Sequence, residues 1–266
     1  MNDDIYTLIR GHRPLLISLP HVGTLIPETL RGRLVDRALA VEDTDWFLDR
    51  LYGFAAHLGA SMLVPRHSRF VVDLNRPSDN RPMYAGSNNT ELCPTRFFTG
   101  DPIYRDGQAP DETEVRRRVA TYWQPYHDAL AAELARLQAQ HGHAVLFDGH
   151  SIKSELPWLF EGTLPHMNLG TVSGTACAAS LSARVAAVFA TQSTYSHVLD
   201  GRFKGGHITR QYGRPVDGVH AVQLEMCWRA YMDETPPYRW HDDRAAAVTP
   251  LLRRLIETLL EWSPDA

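Results

Sequence analysis

The stretch AVLFDGHS (144–151) decides how the rest of the chain is read. Four apolar residues, Ala144 to Phe147, run into Asp148, Gly149, His150 and Ser151. A short apolar run stopped by a glycine-containing polar turn is the pattern of a strand buried on both faces. Ligands of open α/β sheets gather at the carboxyl ends of such strands. His150 is therefore placed where a site is expected. Taken alone, a strand-end histidine is more often a structural hydrogen-bonding group.

Other stretches repeat the pattern. RPLLISL (13–19) ends at Pro20-His21-Val22-Gly23, and VHAVQLE (219–225) ends at a carboxylate, Glu225. Residues 61–65 and 69–74 are two short β-rich runs, the second leading into Asn75-Arg76-Pro77. Segments 168–173 and 195–199 complete the candidate strands. Helical spacing of apolar residues runs through 43–58, with Asp43 or Thr44 as N-cap, and through 111–140, with a kink expected at Pro125. It recurs at 176–189 and 244–262. Strands alternating with helices predict an α/β fold: three α/β/α layers around a mostly parallel mixed sheet, with residues 1–266 forming one domain. Two loops stand out. Segment 78–110 is long and carries Tyr84, Phe97, Phe98 and Tyr104, so an ordered loop over a site is expected. Segment 201–212, GRFKGGHITRQY, reads as a basic glycine-rich loop.

Composition narrows the function classes. The 266 residues carry a formal charge of -4, which gives no footprint for nucleic acid. No apolar run reaches the ~20 residues of a membrane span, and the acidic first residues do not read as a signal peptide. Cys93, Cys177 and Cys227 form no CxxC pair and suit a reducing compartment, so a cytoplasmic protein is expected. Serine-hydrolase, P-loop, dinucleotide-binding and H-E-x-x-H signatures are absent.

The candidate strand ends offer complementary chemistry. Imidazoles from two strands, His21 and His150, are natural ligands for a divalent metal, zinc above others, and catalytic zinc takes three protein ligands. Asp45 is favoured as the third, because it lies three residues before Leu48 on the buried side of the expected helix; Asp43 is better explained as a cap. Asp148 could orient His150 from behind the metal, or accept backbone N–H groups in a turn. Glu225, on an apolar strand, is the candidate general base; its structural alternative is a pair with Arg229. Asn75 and Arg76 suit a substrate carboxylate. Arg202, Lys204, His207 and Arg210, around Gly205-Gly206, could hold a second anionic group.

Seven of these stretches together resemble one family. PLLISLPHVG (14–23), DTDWFLDRLY (43–52), SRFVVDLNRP (68–77), DGHSIKS (148–154), LGTVSGTAC (169–177), GRFKGGHITRQYG (201–213) and HAVQLEM (220–226) are similar, in order, to the N-formylglutamate amidohydrolase family. The resemblance implies a phosphorylase/hydrolase-like α/β/α fold related to zinc carboxypeptidases. It also implies His21 and His150 on a metal, Asn75-Arg76 on a substrate carboxylate, and Glu225 as base. The implied reaction is metal-dependent hydrolysis of N-formyl-L-glutamate to formate and L-glutamate, in histidine degradation. One departure matters: relatives place a carboxylate in H-x-x-E, and here Thr24 stands at that position. Asp45 is thus an inference from spacing. The rival within the class is a deacylase of another N-acyl amino acid or a small carboxypeptidase; outside it, a metal-dependent anion-binding protein.

Overall fold

The computed structural model describes residues 5–82 and 88–264; Tyr84 of the long loop lies outside them. In chain order the strands are β1 (Tyr6–Ile9), β2 (Leu15–Ser18), β3 (Ser61–Pro65), β4 (Ala144–Ile152), β5 (Met167–Gly170), β6 (His197–Leu199) and β7 (Val219–Cys227). The α-helices are α1 (Glu28–Arg31), α2 (Leu48–Leu51), α3 (Phe54–His57), α4 (Glu112–Arg118), α5 (Gln124–His141), α6 (Ala179–Ala190), α7 (His207–Tyr212) and α8 (Asp242–Glu261).

The strands form one mixed sheet in the order β1-β3-β2-β4-β7-β5-β6. Parallel pairing joins β2 to β3 and β4, β4 to β7, and β5 to β6. Only β1 against β3 and β5 against β7 run antiparallel. Because side chains alternate across a strand, both faces can be apolar. Leu15, Ile17, Val145, Phe147, Val222 and Leu224 point into one core with α6 and α8, through Leu181, Val185, Leu252 and Leu255. Leu16, Ala144, Leu146 and Ala221 point into a second core with Tyr126, Leu130, Leu134 and Leu137 of α5. That double burial is why these strands read as continuous apolar runs, and the three layers are those expected.

Local expectations needed correction. β4 does not stop at Asp148: all nine residues to Ile152 are buried, and the register His150↔Glu225 continues to Ile152↔Cys227. Gly149 is therefore no turn; a Cβ there would meet Leu19 Cδ2 at 2.7 Å, so the glycine admits its neighbour. Segment 43–58 is not one helix. Phe47, in the left-handed region at φ 62°, precedes α2, and a turn separates α2 from α3. Asp43 and Thr44 cap neither helix: Asp43 accepts from the Phe98 N–H (2.9 Å) and Thr44 donates to the Val41 carbonyl (2.6 Å).

Segment 69–74 forms turns rather than a strand, since the Ser68 hydroxyl accepts from the Phe70 N–H and the Ser68 carbonyl from the Val71 N–H. Phe70 and Val71 instead fill a small core with Phe97, Ile103 and Tyr104. Two aromatics of the long loop thus pack a core, and Phe98 reaches the cleft described below. Pro125 is the second residue of α5, in a helical run continuous from α4, and the π-helical turn at Val119–Trp123 just before it carries the irregularity. Residues from His207 onward in the expected basic loop are helical.

Candidate active site

The carboxyl ends of β2, β4 and β7 open into a cleft of about 680 Å³, counting its mouth. Its lining includes His21, Asp45, Arg69, Arg76, His150 and Glu225. His21 arrives just past β2, His150 within β4 and Glu225 directly opposite it in β7. Asp45 comes from the turn before α2, and its N–H donates to the His21 carbonyl (3.0 Å), which folds the turn back over β2. Asp45 therefore does not reach the site from a helix face. It is the turn, absent from the helical reading, that brings it there.

His21, Asp45 and His150 are all buried, and their donor atoms converge. His21 Nδ1 and His150 Nδ1 are 3.2 Å apart, and Asp45 Oδ2 lies 3.2 Å from His150 Nδ1 and 3.5 Å from His21 Nδ1. Tetrahedral zinc with ligands at about 2.0–2.2 Å sets its donors roughly 3.3–3.6 Å apart. The spacing fits. Each ring is backed by a second carboxylate: His21 Nε2 lies 2.7 Å from Asp73 Oδ1, and His150 Nε2 lies 3.1 Å from Asp148 Oδ2. An ionised carboxylate only accepts, so each Nε2 carries the donated proton and each Nδ1 is turned to the centre, where it would offer a lone pair to a cation that displaces its own proton. Two such lone pairs facing a third anionic group form a cation site.

Charge is managed by pairing. Burial opposes ionisation of Asp45, yet the His21 and His150 imidazoles outweigh it and hold the carboxyl well below its usual range. Burial likewise opposes ionisation of Asp73, but Arg69, His21 and Arg76 keep it ionised. Arg69 ties the two together: Nη2 reaches Asp73 Oδ2 at 2.6 Å, Nη1 lies 3.7 Å from Asp45 Oδ1, and the guanidinium covers the Phe98 ring. Burial pushes the Glu225 carboxyl up to about 8, with His150 pulling the other way, so its affinity for a proton is raised. Burial also pushes Asp43 up to about 6; engaged with the Phe98 N–H, it lies outside the three-residue cluster.

The sequence model of N-formylglutamate amidohydrolase matches residues 13–232. The chain is 51% identical over 263 residues to an N-formylglutamate deformylase of Pseudomonas aeruginosa, covering 99% of this chain and 98% of the relative. It belongs to the N-formylglutamate amidohydrolase family. A deformylase of Pseudomonas putida is 46% identical with the same coverage. The crystal structure of an N-formylglutamate amidohydrolase from Ralstonia eutropha shares the fold, with a TM-score of 0.80 at 23% identity and 97% and 96% of the two chains covered.

Within this family member, the other residues singled out from sequence divide. Arg76 and Arg202 line the cleft. Arg76 spends three contacts on Thr90 and the Asn75 carbonyl, and Arg202 Nη2 donates to the Leu159 carbonyl (3.1 Å). Asn75 also lines the cleft, but its side chain is committed: Oδ1 accepts from the Ile208 N–H (2.7 Å), and Nδ2 lies 2.9 Å from His150 Nε2 and 3.5 Å from Asp148 Oδ2. With a proton on His150 Nε2, the Asn75 amide is left to donate to Asp148 Oδ2, so Asn75 braces His150 through the carboxylate behind it. Lys204 and Arg210 are exposed and line no part of the cleft, and His207 packs behind it against Trp123 and His127. The basic character of 202–210 is therefore spread over two sides of the chain, with Arg202 alone of the four on the cleft. Sequence reading did not single out Arg69, Asp73 or Gln223. Asp73 carried a signal, a carboxylate inside the apolar run FVVDL.

Proposed function

We propose that the chain is a metal-dependent N-formyl-L-glutamate deformylase acting as one domain over residues 1–266, serving histidine breakdown in the cytoplasm. The carrying observation is the convergence of the His21–Asp45–His150 donor atoms beside Glu225 on one cleft. His21 Nδ1, Asp45 Oδ2 and His150 Nδ1 would hold a divalent ion, zinc by donor type and spacing. Once bound, that ion supplies Lewis acidity and a water whose pKa is lowered to about 7. Glu225 takes a proton from the attacking water and delivers it to the leaving nitrogen. Water adds to the formyl carbon, the C–N bond breaks, and formate and L-glutamate leave. Arg76 and Arg202 supply two cationic anchors for a dicarboxylate, which is the substrate class the cleft favours. The deformylase names of relatives at 51% and 46% identity support the same reaction. Free, buried Cys93, Cys177 and Cys227 agree with a reducing compartment, and no helix among the described residues is long and apolar enough to cross a membrane.

Formate release from N-formyl-L-glutamate, measured beside acetate release from N-acetyl-L-glutamate, tests the substrate. The formyl compound is expected to turn over faster. Faster turnover of the acetyl compound would make the chain a deacylase of another N-acyl amino acid.

A further inference from the structure

We infer that Gln223 reads the substrate directly, its side-chain amide donating a hydrogen bond to one of the two substrate carboxylates. The inference rests on the deformylase reading and adds a specificity residue to it. Gln223 stands two residues before Glu225 in β7, so both side chains share a face of the sheet, and both line the cleft. Its cross-strand neighbours are Asp148 in β4 and Gly170 in β5.

The glycine matters. A Cβ at Gly170 would come within 2.7 Å of the Gly205 nitrogen and the Lys204 carbonyl carbon, so the side-chain space there is filled by the 204–206 backbone. That brings the Gly206 N–H onto Gln223 Oε1 at 2.6 Å. A backbone N–H can only donate, so this contact settles which end of the amide is oxygen. Nε2 is the remaining end. Among the described residues it has no acceptor, and it is not one of the buried unpartnered polar atoms, so it opens onto the cleft that Gln223 lines. With Oε1 fixed by the loop, this amide is held with its N–H groups toward the cleft, ready to donate to an acceptor that enters it.

The partner class follows from the surroundings. Asp148 and Glu225 flank Gln223, so a cation there would pair with them and quench the base; an amide donates without adding charge. Four carboxylate oxygens of a dicarboxylate offer more acceptor directions than Arg76 and Arg202, each partly engaged by protein carbonyls, can fill.

The test is steady-state kinetics of the metal-loaded protein and its Gln223→Glu and Gln223→Met variants on three substrates: N-formyl-L-glutamate, its α-amide and its γ-amide. Glu keeps an acceptor for the Gly206 N–H and removes the donor; Met keeps the length and removes both. Expected is a rise in KM for N-formyl-L-glutamate of about tenfold to a hundredfold in both variants, with kcat little changed. For the amide lacking the carboxylate that Gln223 reads, the same substitutions should leave KM nearly unmoved, which identifies the α or γ group. Unmoved KM values, equal losses on all three substrates, or loss in the Met variant alone would overturn the inference and leave Gln223 a support for the loop. Failure of the unsubstituted protein to release formate would instead overturn the deformylase reading, and this inference with it.

Discussion

Two carboxylates behind the proposed metal site, Asp73 and Asp148, decide what the paired imidazoles can do. Each holds an Nε2 proton and so turns an Nδ1 to the centre. Asp148→Asn should therefore weaken zinc affinity by about 10–100-fold while His21, Asp45 and His150 remain, as measured by competition with a chromophoric chelator. Unchanged affinity would show that Asp148 does not set the tautomer. Glu225→Gln separates base from ligand: kcat should fall by about 10²–10⁴-fold with metal content at the wild-type level. Retained activity would remove Glu225 from proton transfer. At this scale the meeting of His21, His150, Asp45 and Glu225 on one cleft was legible, because candidate ligands and bases come from a short list of residue types. The bracing role of Asn75 was not. It depends on the Ile208 N–H, 133 residues away, and no spacing rule reaches that far.

Among elements, the strands were easier to read than the turns between them. β2, β4 and β7 are apolar on both faces and announce themselves, whereas Asp148, Gly149 and His150 look like a strand end and are strand. The apolar spacing of 43–58 reflected two short helices on one core, since Leu48, Leu51, Tyr52 and Ala55 share that core whether or not the helix is continuous. Helix α5 carries a testable dependence on pH. His127 is buried, its Nε2 2.9 Å from the Leu74 carbonyl and its Nδ1 2.9 Å from the Tyr212 hydroxyl. With Nε2–H donated to the carbonyl, Nδ1 accepts from the hydroxyl and the ring is neutral. Burial lowers its pKa from 6.5 to about 3. The unfolded chain therefore takes up this proton below about 6.5 while the folded chain does not, and stability falls as pH drops from there toward 3. Urea unfolding at pH 7 and pH 5 should show a smaller difference in His127→Gln than in the unsubstituted protein. An unaltered difference would mean that His127 is not held neutral. The loop before α7 has a steric test. A Cβ at Gly206 would lie 2.2 Å from Asn75 Nδ2, so Gly206→Ala should displace the brace on His150 and lower activity, with the displacement visible in a crystal structure. Full activity would show that the loop gives way without consequence.

For the molecule as a whole, the long parallel pairing of β4 with β7 sets His150 and Glu225 side by side, while β2 and the turn before α2 bring His21 and Asp45 to the same end. The centre of the sheet thus carries His150 and the proposed base Glu225, the turns after β2 and before α2 bring His21 and Asp45 to them, and loops supply the walls. That division explains why the layered architecture and the candidate reacting groups could be read from apolar runs, and why the cations that line the cleft could not: Arg202 faces the cleft and Lys204 does not, where the loop seats on Gly170. The central claim is that this end of the sheet is a metal-dependent deformylase site. Metal content and formate release from N-formyl-L-glutamate, measured on one preparation before chelation, after chelation and after zinc is restored, test it most directly. Expected are one metal ion per active site, loss of formate release on chelation and recovery with zinc. Full formate release from protein shown to be free of metal would contradict it.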